Sequence, residues 1–252
     1  MKQAWIGYRA LKAPACGARN NHALTLSDAM DKYYSHTLAA EKLKRCYRTA
    51  PSRIKQYLAA EIEHVAAMMR PSWKILELGC GYGRILGALA GTARQSVGID
   101  ISRASLKAAA ADLGHYDNIC LGAMDAGRLA LANRRFDLVL ALQNGLSAMK
   151  VDHDRLIAEA VRVTAPGGKI ILSSYAEKFW EVRLDWFHRQ AAMGLIGEID
   201  HERTGRGVIV CRDGFRATTV TPGEFRRLAD RHRLRADIYE IDGSSVFCVI
   251  TA

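Results

Sequence analysis

Residues 74–84 read KILELGCGYGR, and the rest of the chain is best understood outward from them. Lys74 to Leu78 is a short, mostly apolar run with the length of a buried strand. Gly79, Gly81 and Gly83 follow at once, and a helical pattern opens at Arg84. Glycines between a strand and a helix let the chain turn tightly, and they let a ligand approach the backbone without meeting a Cβ. A dinucleotide fingerprint needs G-x-G-x-x-G, which would place its last glycine at position 84. Arg84 stands there, so the pattern is G-x-G-x-G, with the acid Glu77 at the end of the strand.

Downstream, strands and helices alternate. Ser96 to Asp100 reads as a second strand, and Ser102 is placed to cap a helix running to about Leu113. Ile119 to Gly122 is a third strand. Phe136 to Leu142 is a near-continuous apolar run, as expected of a strand covered on both faces. Asp152 to Thr164 has helical periodicity, Pro166-Gly167-Gly168 is a turn, and Lys169 to Ser173 is another buried strand. This alternation predicts an α/β chain with a doubly wound, mostly parallel sheet.

The flanks depart from that rhythm. Upstream, about Ser27 to Arg70 is helical. Ile54, Tyr57, Leu58, Ile62, Val65 and Met69 form one apolar face; Pro51 divides the segment, and Ser52 is the expected cap of the second helix. Downstream, Ala176 to Met193 is an aromatic-rich helix, followed by a strand pair at Gly207 to Cys211 and Phe215 to Val220. Thr221-Pro222-Gly223-Glu224 is a strong helix start, and closing strands follow at Arg235 to Ile241 and Val246 to Thr251. The expected organisation is a tail and helical cover over 1–70, then a core over 71–252 with an insertion at about 175–220. Within that insertion, Gly194 to Asp200 is a candidate lid segment.

Glu77-Leu78-Gly79-Cys80-Gly81-Tyr82-Gly83 resembles motif I of the class I S-adenosylmethionine-dependent methyltransferases. Asp100 at the end of the second strand, Asp125 after the third, Gln143-Asn144 after the fourth and Pro166-Gly167-Gly168 before the fifth follow in that family's order, so the resemblance spans Trp73 to Ser174. It implies a Rossmann-like seven-stranded sheet and S-adenosyl-L-methionine as cofactor. It also implies a glycine loop against the methionine portion, Asp100 on the ribose hydroxyls, Asp125 on the adenine amino group with Ala126 beside it, and Gln143 and Asn144 facing the sulfonium. The implied cofactor set is Glu77, Gly79, Cys80, Gly81, Gly83, Asp100, Ile101, Asp125, Ala126, Gln143 and Asn144. A plainer reading stands beside each of these: Asp125 as a turn acid, Asn144-Gly145 as a turn dipeptide, Cys80 as a small filler.

The acceptor is less legible. A small molecule is the leading expectation, with the flanking segments as pocket covers; Tyr33, Tyr34, Tyr47, Tyr57, Trp180 and Trp186 are candidate pocket aromatics. The net charge of +10 over 252 residues motivates an RNA or protein acceptor as the alternative. Cys46, Cys80, Cys211 and Cys248 motivate a thiolate-bound metalloid acceptor as a third. The six cysteines, Cys16 and Cys120 included, contain no C-x-x-C pair, so no metal site is expected. No motif marks a catalytic base; His36, His188, His201, Glu198 and Asp200 are the available groups. No run approaches the roughly 20 apolar residues of a membrane span, and 1–20 has no signal-like apolar stretch. A cytoplasmic protein with reduced thiols is the expectation.

Overall fold

A computed structural model describes Tyr33 and residues 37–252. Cys16, Tyr34, His36 and the start of the helical cover lie outside these residues. Eight helices and nine strands among the described residues carry the argument. In chain order they are α1 (Glu41–Arg48), α2 (Ser52–Met68), β1 (Lys74–Leu78), α3 (Arg84–Leu89), β2 (Gln95–Asp100), α4 (Arg103–Leu113), β3 (Ile119–Ala123) and β4 (Phe136–Ala141). After these come α5 (Gly145–Ala148), α6 (His153–Val163), β5 (Thr164–Tyr175), α7 (Trp180–Ala192), β6 (Ile209–Val210), β7 (Arg216–Ala217), α8 (Pro222–Arg231), β8 (Ala236–Ile241) and β9 (Ser245–Thr251).

The main sheet has seven strands in the order β3-β2-β1-β4-β5-β9-β8. The first five run parallel, and β9 is antiparallel to both β5 and β8. Strand order reverses between β1 and β4, so the C-terminal ends of those strands open a crevice. Alternate residues face opposite layers. Ile75, Leu138, Leu140 and Ile171 pack with Val65, Leu86, Leu89 and Leu106 on one side. Leu76, Val139, Ala141, Ile170 and Leu172 pack with Ile54, Tyr57, Leu156, Ile157 and Phe225 on the other. The helical cover shares this second core through Cys46, Ala50 and Leu58.

Three local expectations are corrected. Ser52 is the first residue of α2 rather than its cap; Pro51 takes the cap position, with no side-chain hydrogen bond. Pro166-Gly167-Gly168 lies inside β5 as an irregularity, because Ala165 to Gly168 bulge out between the pairs Phe136–Thr164 and Leu138–Lys169. Gly167, at φ 76°, makes the bulge possible. The Ala176–Met193 helix opens with a 3₁₀ turn at Glu177–Phe179 before α7 begins. Other expectations are matched. Ser102 caps α4 by accepting from Ser105 N–H, and Thr221 and Glu224 form a complete capping box on α8. The inserted strand pair is present as β6–β7. Leu195, Ile196 and Ile199 of the 194–200 segment are buried in the main core. Among the described residues no helix is long and apolar enough to cross a membrane.

Candidate active site

A cavity of about 290 Å³ opens at the C-terminal ends of β1, β2, β3 and β4. Its floor is the β1–α3 loop. Gly79 (φ 69°) and Gly83 (φ 83°) adopt the left-handed conformation that side chains rarely tolerate. A Cβ on Gly79 would come 2.9 Å from Met149 Sδ on the cavity wall, and one on Gly83 would come 2.4 Å from Leu113 Cδ1 beneath the loop. The first glycine therefore keeps the cavity open, and the second lets α3 pack on α4.

Asp100, at the end of β2, is pinned from two sides. Its Oδ2 accepts from Gly81 N–H at 2.8 Å and its Oδ1 from Ser102 N–H at 2.7 Å. Burial raises its pKa, and the backbone N–H groups of Ser102, Gly81 and Ile101 oppose that rise. Each oxygen keeps a lone pair for a ligand on the cavity side. Ile101 beside it is 50% exposed, the exposed large hydrophobic among the described residues, and it also lines the cavity. Asp125 Oδ1 accepts from Gly127 N–H at 2.8 Å, and buried Ala126 lies next to it; both line the same space. Cys80 is on the wall as well, its buried thiol held well above the ordinary thiol value by desolvation.

Glu77 lines the cavity although it is buried within the sheet, and its Oε2 has no partner. Burial pushes its carboxyl up to about 8, with the nearby Arg84 charge opposing the rise. Gln143 completes the wall beyond β4 in a left-handed conformation (φ 54°). Its N–H donates to Ser173 Oγ at 2.7 Å and to Glu61 Oε2 at 2.9 Å, and its Oε1 accepts from Arg84. Asn144 departs from the expected set: it does not line the cavity. Its Nδ2 donates to the Thr218 carbonyl and its Oδ1 accepts from Ser174 Oγ, so it ties the end of the insertion to β5. With Gln143 turned to the cavity, the next side chain along points away.

Two groups were not singled out from the sequence. Arg84 entered there only as the residue that spoils a dinucleotide fingerprint, yet it lines the cavity with its guanidinium 4.7 Å from the Tyr47 ring centroid. Glu61, on α2, is fully buried and accepts from Gln143 N–H, Ser173 Oγ and Ser245 Oγ. Burial raises it to about 7 against those three donors. The signal was its place on the apolar stripe of α2, between Leu58 and Val65.

Of the candidate tyrosines, Tyr47 lines the cavity with Leu43 from α1. Tyr33 hydrogen-bonds Asp213 at the insertion, and Tyr57 is buried beneath. Trp186 packs against Tyr47 from behind. The possible bases fall elsewhere: His188 stacks on His201, Glu198 pairs with Arg212, and Asp200 accepts from the N–H groups of Glu202 and Arg203. Of Cys46, Cys80, Cys211 and Cys248, only Cys80 reaches the cavity. Among the described residues no group of three or more His, Cys, Asp or Glu could hold a metal ion.

Residues 75–168 match the family model described as a methyltransferase domain. The malonyl-[acyl-carrier protein] O-methyltransferase of Methylococcus capsulatus is 28% identical over 136 residues, covering 53% of this chain and 48% of that protein. The chloroplastic tocopherol O-methyltransferase of Arabidopsis thaliana is 31% identical over 129 residues, covering 48% and 32%. The chain thus matches half or less of the length of these curated relatives. Among solved structures, the N-methyltransferase NodS of Bradyrhizobium japonicum in complex with S-adenosyl-L-homocysteine superposes with TM-score 0.55 at 15% identity, covering 85% of this chain and 98% of that one. The matched segment lies within a seven-stranded sheet whose Rossmann-like fold is shared with solved methyltransferase structures such as NodS.

Proposed function

We propose that this protein transfers a methyl group from S-adenosyl-L-methionine to a small-molecule acceptor. The observation that carries the reading is the Asp100 carboxylate, pinned by Gly81 and Ser102 N–H on the wall of a cavity whose floor is glycine backbone. The residues present fit the cofactor. Asp100 offers lone pairs to two ribose hydroxyls, and Ile101 and Ala126 supply apolar walls for a flat base. Asp125 accepts from an exocyclic amine. Gly79, Cys80, Gly81 and Gly83 admit the amino-acid portion against bare backbone, with Glu77 beneath it. Gln143 stands at the reactive end, and Asn144 acts behind it by holding the loop.

The bound cofactor supplies a methyl group already activated on a sulfonium. The protein's share is therefore positioning and exclusion of water, and orientation alone can supply much of the rate. Leu43 and Tyr47 make α1 a cover over the opening. A small acceptor suits a cavity walled in this way, and the O-methyltransferase names of the curated relatives point the same way. A cytoplasmic setting suits the free Cys46, Cys80, Cys120, Cys211 and Cys248.

Titration calorimetry with S-adenosyl-L-homocysteine tests the reading. Wild type should bind in the micromolar range, and Asp100→Ala should lose about 10- to 100-fold in affinity, the worth of a charge-assisted hydrogen bond. A folded wild type that does not bind overturns the proposal. If turnover then requires RNA, with affinity falling steeply in salt, the macromolecular alternative replaces the small acceptor.

A further inference from the structure

Between the glycine loop and the β4 exit, the cavity wall carries a positive charge that no carboxylate among the described residues contacts directly. Arg84 lines the cavity, donates Nη2 to Gln143 Oε1 and lies over the Tyr47 ring. Among the described residues it forms no ion pair with a carboxylate. Beside it, Gln143 Nε2 is buried and has no acceptor, although the same amide's oxygen is satisfied by Arg84. Of the other acids on the wall, Asp100 and Asp125 hold backbone N–H groups. Glu77 and Glu61 feel the Arg84 charge but lie beyond ion-pair distance. A cation and an orphaned donor thus stand side by side on the cavity wall. A buried donor is normally paired, and a half-buried cation beside it favours a charged partner, so an anionic acceptor atom would complete this part of the wall.

We infer that the methyl acceptor presents an ionised oxygen, a carboxylate or an acidic hydroxyl, to Arg84 and Gln143 Nε2. This rests on the methyltransferase reading above and sharpens it to a substrate class. A planar guanidinium next to an amide N–H matches an oxyanion in geometry and charge. An ammonium would face a like charge and would leave the buried Gln143 Nε2 without an acceptor. The class also fits the placement of the possible bases, since His188, His201, Glu198 and Asp200 all lie off the cavity wall. An oxygen that arrives ionised needs none of them. It forms the new bond to the methyl carbon as the methyl–sulfur bond breaks, the electron pair stays on sulfur, and no proton moves.

A carboxylate could reach Arg84 from the acceptor or from the amino-acid end of the cofactor, and two titrations separate these sources. The first compares S-adenosyl-L-homocysteine with 5′-methylthioadenosine, which lacks that end, on wild type and Arg84→Gln. The inference expects Arg84→Gln to change the affinity for both by the same factor, to within about twofold. A loss confined to S-adenosyl-L-homocysteine assigns Arg84 to the cofactor and overturns it. The second titrates the S-adenosyl-L-homocysteine complex with benzoate and with benzylamine, followed by calorimetry. Benzoate should bind at least about 10-fold more tightly than benzylamine. Arg84→Gln should abolish the preference, and Arg84→Lys, which keeps the charge and guards against misfolding, should retain part of it. Equal binding of the two, binding of neither, or indifference of benzoate to Arg84→Gln overturns the inference. Failure of wild type to bind S-adenosyl-L-homocysteine would instead bring down the methyltransferase reading itself.

Discussion

The β9–β8 edge and the cavity edge of β1–β4 both contain left-handed backbone, but for different reasons. At the first edge, Asp242 (φ 54°) and Gly243 (φ 62°), followed by Ser244, join the two antiparallel strands. Asp-Gly is the dipeptide that a tight hairpin prefers, so the conformation is explained by its own residues. At the second edge, Gln143 (φ 54°) has no such local excuse. It is held there by Glu61 on α2 and Ser173 on β5, which accept its N–H. Strain that neighbours must enforce concentrates at functional sites, and here it coincides with the cavity wall. The acids differ as well: Glu77 and Asp100 line the cavity and buried Glu61 supports its wall through Gln143, whereas Asp242 at the hairpin is exposed, with Arg53 and Ser244 as partners.

The comparison is broken most directly at the glycine loop. In Gly83→Val, a left-handed β-branched residue would also meet Leu113 Cδ1 at 2.4 Å. Conformational strain and overpacking together should cost about 3–4 kcal/mol. For a chain of this size that lowers Tm by roughly 10 °C in a thermal melt. A loss below about 1 kcal/mol would mean that the loop yields easily and is not held rigid by its surroundings.

A subtler separation of the two edges comes from pH. Burial raises the folded pKa of Glu61 to about 7 and that of Glu77 to about 8, while an unfolded glutamate titrates near 4.3. The folded state therefore keeps protons that the unfolded chain has already released. The stability this contributes is complete below the unfolded pKa and is lost as pH rises through the folded values. Melting of wild type and Glu61→Gln between about pH 5 and pH 7 should show the wild type declining relative to the variant, by of order 2–3 kcal/mol across the window. A gap that does not change with pH would show that Glu61 is ionised throughout and is stabilised by its three donors.

These contrasts also explain what was legible in the sequence. Gly79, Gly81, Gly83, Asp100 and Asp125 sit at the ends of successive strands, so the alternation of strand and helix brings them to one edge by itself. Glu61 needs partners 112 and 184 residues away, and no local pattern announces Ser173 or Ser245. Its position on the α2 stripe was the one local signal, and that signal does not say what would satisfy a buried acid. Asn144 is the converse. Its place after β4 was read correctly, but its direction depends on Thr218 in the insertion and Ser174 in β5. Ser52 failed as a cap because Pro51, extended at ψ 163°, occupies the cap position itself and pushes Ser52 into the first turn.

The smallest effect belongs at the opposite edge, where α8 opens on its capping box. Thr221 Oγ1 accepts from Glu224 N–H at 3.2 Å, and Glu224 Oε2 accepts from Thr221 N–H at 2.7 Å. Thr221→Ala removes the first bond, and with it the hydroxyl's own donation to Glu224 Oε2, and leaves the second. The position is exposed, so water can take up the freed N–H, and the cost should be about 1 kcal/mol, or a few degrees in Tm. Binding of S-adenosyl-L-homocysteine should not change, because Phe225 and Leu228 anchor α8 in the core independently of its first turn. A change in that affinity, or a loss well above 2 kcal/mol, would show that the start of α8 is coupled to the cavity. The nearby Val220 N–H, which donates to Ser174 Oγ and so connects to Asn144, is the route by which such coupling would travel.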